Sequence, residues 1–138
     1  MNKVILPSYN IIPDVGLYLD QTVRFLNEYT AAFGEELTGS MVTNYVKLKI
    51  VPKAKGKLYN REQIALFILV ALCKKVLSMD QIKKLVGYMN DDLEECYKTF
   101  VSILEGDRTV DNSQQEMILK ICDIILQKRE LDEIIAGM

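Results

Sequence analysis

Residues Thr38 to Arg61 read TGSMVTNYVKLKIVPKAKGKLYNR. Thr38 caps a short predicted helix through about Leu48, whose carboxyl end is set by Pro52 and its bias towards extended backbone at the preceding residue. On a 3.6-residue wheel Ser40, Thr43, Asn44 and Lys47 fall at i, i+3, i+4 and i+7 and make one polar stripe. Met41, Val42, Tyr45 and Leu48 lie towards the other side and are available to a core. The stripe contains no acid. Asn suits adenine in the major groove, Ser and Thr suit several bases, and Lys suits guanine or phosphate.

The residues that follow sharpen this reading. Ile50 to Tyr59 place a Pro, a Gly and alternating lysines between apolar ends, a pattern that predicts a small β-hairpin. Lys47, Lys49, Lys53, Lys55, Lys57 and Arg61 put six basic residues into fifteen positions with no acid among them. Alternate side chains of a strand project to one side, so Lys53, Lys55 and Lys57, with Tyr59 and Arg61, are expected to hold phosphates. A lysine-guarded edge strand is the plainer account of the same alternation. A polar-striped helix, a basic hairpin and a capped apolar helix in succession form a more specific pattern than any one of them.

Residues 1–13 read as an extended arm, with Pro7 and Pro13 around Tyr9, Ile11 and Ile12. Asp14 is expected to cap a helix to about Phe33, stopped by Gly34. Asn60 with Gln63 predicts a capping box for a helix to Leu77, apolar nearly all round and therefore the buried central strut. Ser78 caps the next, with Met79, Ile82, Leu85 and Val86 inward. Asn90 or Asp91 opens another to about Glu105, and residues Asp111 to about Ile135 form a last long helix. The expected division is a DNA-binding region with its arm over 1–88 and a helical extension over 89–138, serving core completion, dimerisation or effector binding.

Composition bounds the function. The 138 residues are 49% hydrophobic and 26% charged, an ordinary globular balance. The net charge of −2 hides a split: residues 1–87 carry twelve Lys/Arg against seven Asp/Glu, and residues 88–138 carry five against twelve. Histidine is absent, which removes the side chain most used for acid–base work near neutral pH. No phosphate-binding loop or nucleophile–base pair is visible, so no catalytic residues, cofactor or metal are expected, and the chain is not read as an enzyme. Cys73, Cys96 and Cys122 lie in apolar helical stretches and read as small buried hydrophobes. The acidic group Asp91, Asp92, Glu94 and Glu95 sits where a helix dipole favours carboxylates. The longest uncharged apolar run, Ile64–Cys73, is about half the ~20 residues that span a bilayer, so a cytoplasmic protein is expected.

The run TGSMVTNYVKLKIVP resembles the recognition helix and exit of MerR-type regulators, and KLYNREQI resembles the end of their wing and the start of the next helix. VLSMDQIKKLV then resembles their following short helix, so the likeness covers about Thr38 to Val86. Departures are Thr43 where such regulators place an Arg, Asn44 in place of an aromatic, and Lys49 in place of the turn glycine. A resemblance over most of the chain is to an uncharacterised bacterial family, domain of unknown function 1836, through LPSYNIIPDVGLYLDQ, MVTNYVK and KLYNREQIA. It implies a fold rather than an activity. The expected fold is mainly α, a MerR-like winged helix-turn-helix with a β-hairpin wing and a two-helix C-terminal extension. The expected function is a transcriptional regulator reading duplex DNA with helix 39–48 and its phosphates with the wing 52–61. Alternatives are an adaptor that keeps the fold without DNA, or an excisionase-like architectural factor. A single module buries only about 600–1,000 Å² on DNA, which favours a homodimer through the C-terminal helices.

Overall fold

The computed structural model of the protein describes residues 4–138, leaving aside the side chains of Thr30 and Ala31. Residues 1–3 of the expected arm lie outside the described residues. Seven α-helices are described: α1 (Leu19–Asn27), α2 (Thr30–Phe33), α3 (Gly39–Lys47), α4 (Arg61–Cys73), α5 (Met79–Met89), α6 (Leu93–Leu104) and α7 (Ser113–Ala136). Short 3₁₀ turns occupy Tyr9–Ile11 and Asn90–Asp92.

The fold is built around α4. Every residue from Gln63 to Cys73 is buried, as a helix apolar on all faces requires. Its start is fixed by the reciprocal bonds of Asn60 and Gln63, whose side chains each accept the other's backbone N–H at 2.9 Å. Helices α2, α3, α5, α6 and α7 all pack on α4, while α1 packs on α3 and α6 pairs with α7. One hydrophobic cluster runs from Val4 in the arm to Ile125 in α7, so residues on both sides of position 88 share a core. Pro7 and Tyr9 bring the arm onto α6: the buried Tyr97 hydroxyl donates to Pro7 O at 2.6 Å, and its ring lies 5.8 Å from that of Tyr9. Among the described residues, no helix is long and apolar enough to cross a membrane.

The structure corrects the expected wing. Among the described residues there is no β-strand, so neither the hairpin wing nor the winged fold that rests on it is present. Residues 52–59 are a loop closed by one tight turn, in which the Lys55 and Leu58 backbones exchange bonds of 3.0 and 2.9 Å across Gly56 and Lys57. The ladder fails because its would-be partners are already engaged. Pro52 has no N–H to give. The carbonyls of Pro52 and Lys53 both accept from Gln63 Nε2, at 3.0 and 2.7 Å. The Tyr59 backbone pairs in both directions with Leu17, at 2.8 and 2.9 Å.

That last pairing also corrects the first helix. Leu17 is held in an antiparallel bridge and Gly16 is at φ +84°, so the helix expected from Asp14 begins only after Tyr18. It breaks at Glu28 and Tyr29 before resuming as α2, and Gly34 at φ +75° ends it. The helix expected to reach Leu77 stops at Cys73, and the long helix after Asn90 begins at Leu93.

Candidate nucleic-acid interface

Helix α3 carries the polar stripe. Thr38 is its N-cap, with Oγ1 accepting from the Met41 N–H at 3.2 Å. Val42 and Tyr45 are buried against the core, while Ser40, Thr43, Asn44 and Lys47 are exposed. The Thr43 hydroxyl turns back on its own helix, within bonding distance of the carbonyls of Gly39 (3.0 Å) and Ser40 (3.1 Å). It therefore offers its methyl and its lone pairs outward, and its proton inward.

The exit from α3 is set by backbone geometry at Lys49 and not by Pro52. The Lys49 N–H reaches Val46 O at 2.9 Å and the Ile50 N–H reaches Tyr45 O at 3.1 Å, with Leu48 as C-cap. This pairing is a Schellman motif, completed by the buried pair Ile50 and Tyr45. Its left-handed position is occupied by Lys49 at φ +61°, where glycine is usual. The motif points the chain away from the helix and leaves the Lys49 side chain exposed.

The lysines of the following loop are exposed as well: Lys53, Lys55 and Lys57. Their spacing comes from a turn and not from a strand, because Gly56 (φ +55°) and Lys57 (φ +68°) are both left-handed. Four ion pairs are described: Lys74–Glu35, Lys98–Glu94, Arg108–Asp123 and Lys128–Asp132. None of them uses a lysine of the 47–57 segment.

Two of the expected site residues face elsewhere. Tyr59 is 6% exposed, its ring edge-on to Phe67 at 5.1 Å, and burial pushes its phenol pKa up. Arg61 is half-buried and holds the arm: Nε donates to Ile12 O at 2.8 Å, and the guanidinium lies 5.6 Å from the centre of the Tyr9 ring. Both are structural, and the expected set reduces on the surface to Ser40, Thr43, Asn44, Lys47, Lys53, Lys55 and Lys57, to which the exposed Lys49 is added.

The structure adds a residue that the local pattern did not reveal. Lys83 of α5 lines a groove of about 520 Å³ together with Lys49 and Lys53, over a floor of Val46, Ile50 and Leu66. Lys83 is 30 positions beyond Lys53 in the chain, and only the packing of α5 on α4 brings it there. On α5 it is exposed beside the buried Ile82, Leu85 and Val86, which marks it as a surface residue and no more.

Asp91 and Asp92 lie in the 3₁₀ turn before α6, and Glu94 pairs with Lys98 one turn on. Among the described residues no group of three or more His, Cys, Asp or Glu is placed to hold a metal. The three cysteines are buried thiols; burial pushes Cys73 and Cys122 up to about 12 and Cys96 to about 11.

A family model described as "Domain of unknown function (DUF1836)" matches residues 7–100, more than half of the chain. The match takes in the arm from Pro7, the loop and every helix through most of α6. No curated protein and no solved structure matches the chain.

Proposed function

The chain belongs to the DUF1836 family, and from the chemistry of the face just described we propose that it binds duplex DNA as a regulator of transcription. The observation that carries this reading is that α3 and the loop after it, consecutive in the chain, expose five lysines without a described ion pair together with an uncharged row of hydroxyl and amide groups. Lysines spaced this way suit phosphates, and Ser40, Asn44 and Lys47 on a 9-residue helix suit base edges. The likeness of residues 38–86 to the recognition helix and following helix of MerR-type regulators supports the same face, without a wing. Lys49, Lys53, Lys55 and Lys57 are the phosphate contacts, with Lys83 beside them.

Fluorescence anisotropy on random-sequence and genomic duplexes across a salt series tests this. Neutralising about four phosphates gives a slope of log K against log salt near −3.6. Replacing Lys53, Lys55 and Lys57 by Ala weakens binding to all duplexes alike and flattens the slope to about −1. Asn44→Ala relaxes preference at one base pair, worth about 1–3 kcal/mol of discrimination. No association with duplex DNA at low salt refutes the reading and leaves the protein-adaptor alternative.

A further inference from the structure

The groove that Lys83 joins is more than a basic surface. It holds about 520 Å³, within the range of about 300–1,000 Å³ typical of small-molecule sites, and its floor is aliphatic: Val46, Ile50, Leu66 and Val86. Lys49, Lys53 and Lys83 stand along it, none of them in a described ion pair, and among the described residues no acid lines it. The phosphates of a duplex can use these ammonium groups but leave the aliphatic floor in water. A ligand that covers both needs a flat apolar body and several negative charges.

Two lining residues sit where their own backbone favours a different side chain. Gly87 lies in the last turn of α5, where glycine weakens a helix relative to alanine. Internal packing does not require it, because a Cβ at position 87 would meet no neighbouring element within 4 Å. Lys49 is the reverse case, a long side chain at φ +61° where glycine is usual. Both border the groove, the first leaving it open and the second bringing a cation to it. Departures from local preference of this kind gather at functional sites.

We infer that this groove binds a nucleoside polyphosphate, with the base on the aliphatic floor beside Gly87 and the phosphates on Lys49, Lys53 and Lys83. Asn90, also on the lining, has a side-chain amide whose acceptor and donor match N6 and N7 of adenine, which makes adenine the base. Lys49 and Lys53 are phosphate contacts in the DNA reading as well, so the nucleotide and a duplex exclude one another. That exclusion rests on the DNA reading; occupation of the groove by the nucleotide does not.

Isothermal titration calorimetry of the full chain with ATP, without divalent metal so that the lysines alone meet its charge, measures this. Saturation with a Kd of about 10–100 μM is expected. Tripolyphosphate has the charge without the base and adenosine the base without the charge, and each binds at least about tenfold more weakly. Gly87→Leu fills the groove while keeping every lysine, and lowers ATP affinity about tenfold or more. Its thermal midpoint is at or above that of the parent, since leucine favours a helix and the space is open. Asn90→Ala removes the preference for ATP over GTP. In the parent, ATP displaces a labelled duplex. No saturation by ATP at about 5 mM overturns the inference. So does tripolyphosphate binding as tightly as ATP, or a folded Gly87→Leu that binds ATP like the parent, because either leaves only a surface for polyanions. ATP binding without any association with duplex DNA supports the groove and refutes the DNA reading; duplex binding without ATP does the reverse. A duplex undisturbed by saturating ATP overturns the shared use of Lys49 and Lys53.

Discussion

Replacing Lys49 by glycine separates the backbone role of this residue from its charge. Lys49 is the left-handed residue of the Schellman motif that ends α3, at φ +61°. An L-residue with a Cβ pays about 1–2 kcal/mol to occupy that region, and glycine does not. Glycine in turn loses about 0.5–1 kcal/mol through the greater freedom of its unfolded chain. The two motif bonds, Lys49 N–H to Val46 O and Ile50 N–H to Tyr45 O, involve backbone only and survive the change. Lys49→Gly therefore stabilises the protein by about 0.5–1 kcal/mol, which moves the thermal midpoint up by about 2–4 °C. Urea unfolding followed by circular dichroism measures it as a raised midpoint at constant slope. Lys49→Ala is the control: it keeps the Cβ and removes only the charge, so its midpoint stays close to that of the parent. Both variants should lower the magnitude of the salt slope for duplex DNA by about 0.9, one phosphate contact each. A lower midpoint for Lys49→Gly than for Lys49→Ala would refute the strain argument. An unchanged slope in both would remove Lys49 from the phosphate contacts while leaving the fold reasoning intact.

Three further outcomes follow from buried contacts. Gln63→Leu keeps the volume but strips the bonds to Pro52 O, Lys53 O and the Asn60 N–H; it should cost about 2–3 kcal/mol and make the 52–59 loop the first site of limited proteolysis. Arg61→Met loses the Ile12 contact and the stacking on Tyr9, and should cost about 1–2 kcal/mol while leaving the salt slope of DNA binding unchanged, since the guanidinium is turned onto the arm. The thiols give a pH dependence: Cys73 and Cys122 are raised from 9.0 to about 12 by burial, so between those values the thiols stay neutral in the folded state and ionise in the unfolded one. Their contribution is complete below about pH 9 and is lost as pH rises towards 12, so denaturation midpoints should fall over that window and thiol labelling near pH 8 should wait on opening of the core.

The parts of the fold legible in the sequence are those decided by short-range chemistry. Thr38, Asn60 and Ser78 each cap the helix they precede, because a side-chain oxygen three positions from an N–H needs nothing from the rest of the chain. The burial of α4 on every side follows from a run with no polar face to turn outward. The errors fall where a distant group intervenes. Asp14 had the chemistry of a cap, but Leu17 is drawn into pairing with Tyr59, 42 positions away, and the helix cannot begin before it is released. Arg61 carried the charge of a phosphate ligand, yet the carbonyl that claims it belongs to Ile12. In the same way the alternating lysines matched a strand, although a strand exists only if a partner has free backbone groups, and Gln63 and Leu17 had already taken them. Lys83 was invisible for the reason that hides most surface neighbours: proximity created by helix packing leaves no periodicity to read.

These displacements bear on how the basic face is held. Five lysines between positions 47 and 57, with no acid among them, repel one another, and a free loop would spread to relieve that. Here both ends of the loop are fastened by uncharged bonds: the Schellman motif at Lys49, the Gln63 amide on Pro52 and Lys53, and the Leu17–Tyr59 bridge. None of these competes for the ammonium groups, so the loop backbone is fixed while the cations remain available. The repulsion that persists within such a frame is relieved when a polyanion arrives, which makes the arrangement costly in isolation and favourable in a complex. Raising the salt concentration should accordingly stabilise the free protein by screening this cluster, while it weakens the proposed binding to DNA. Opposite signs in those two measurements, both diminished by the triple replacement of Lys53, Lys55 and Lys57, would tie them to the same group of charges. Salt-independent stability in the parent would show that the cluster is too dispersed to act as one.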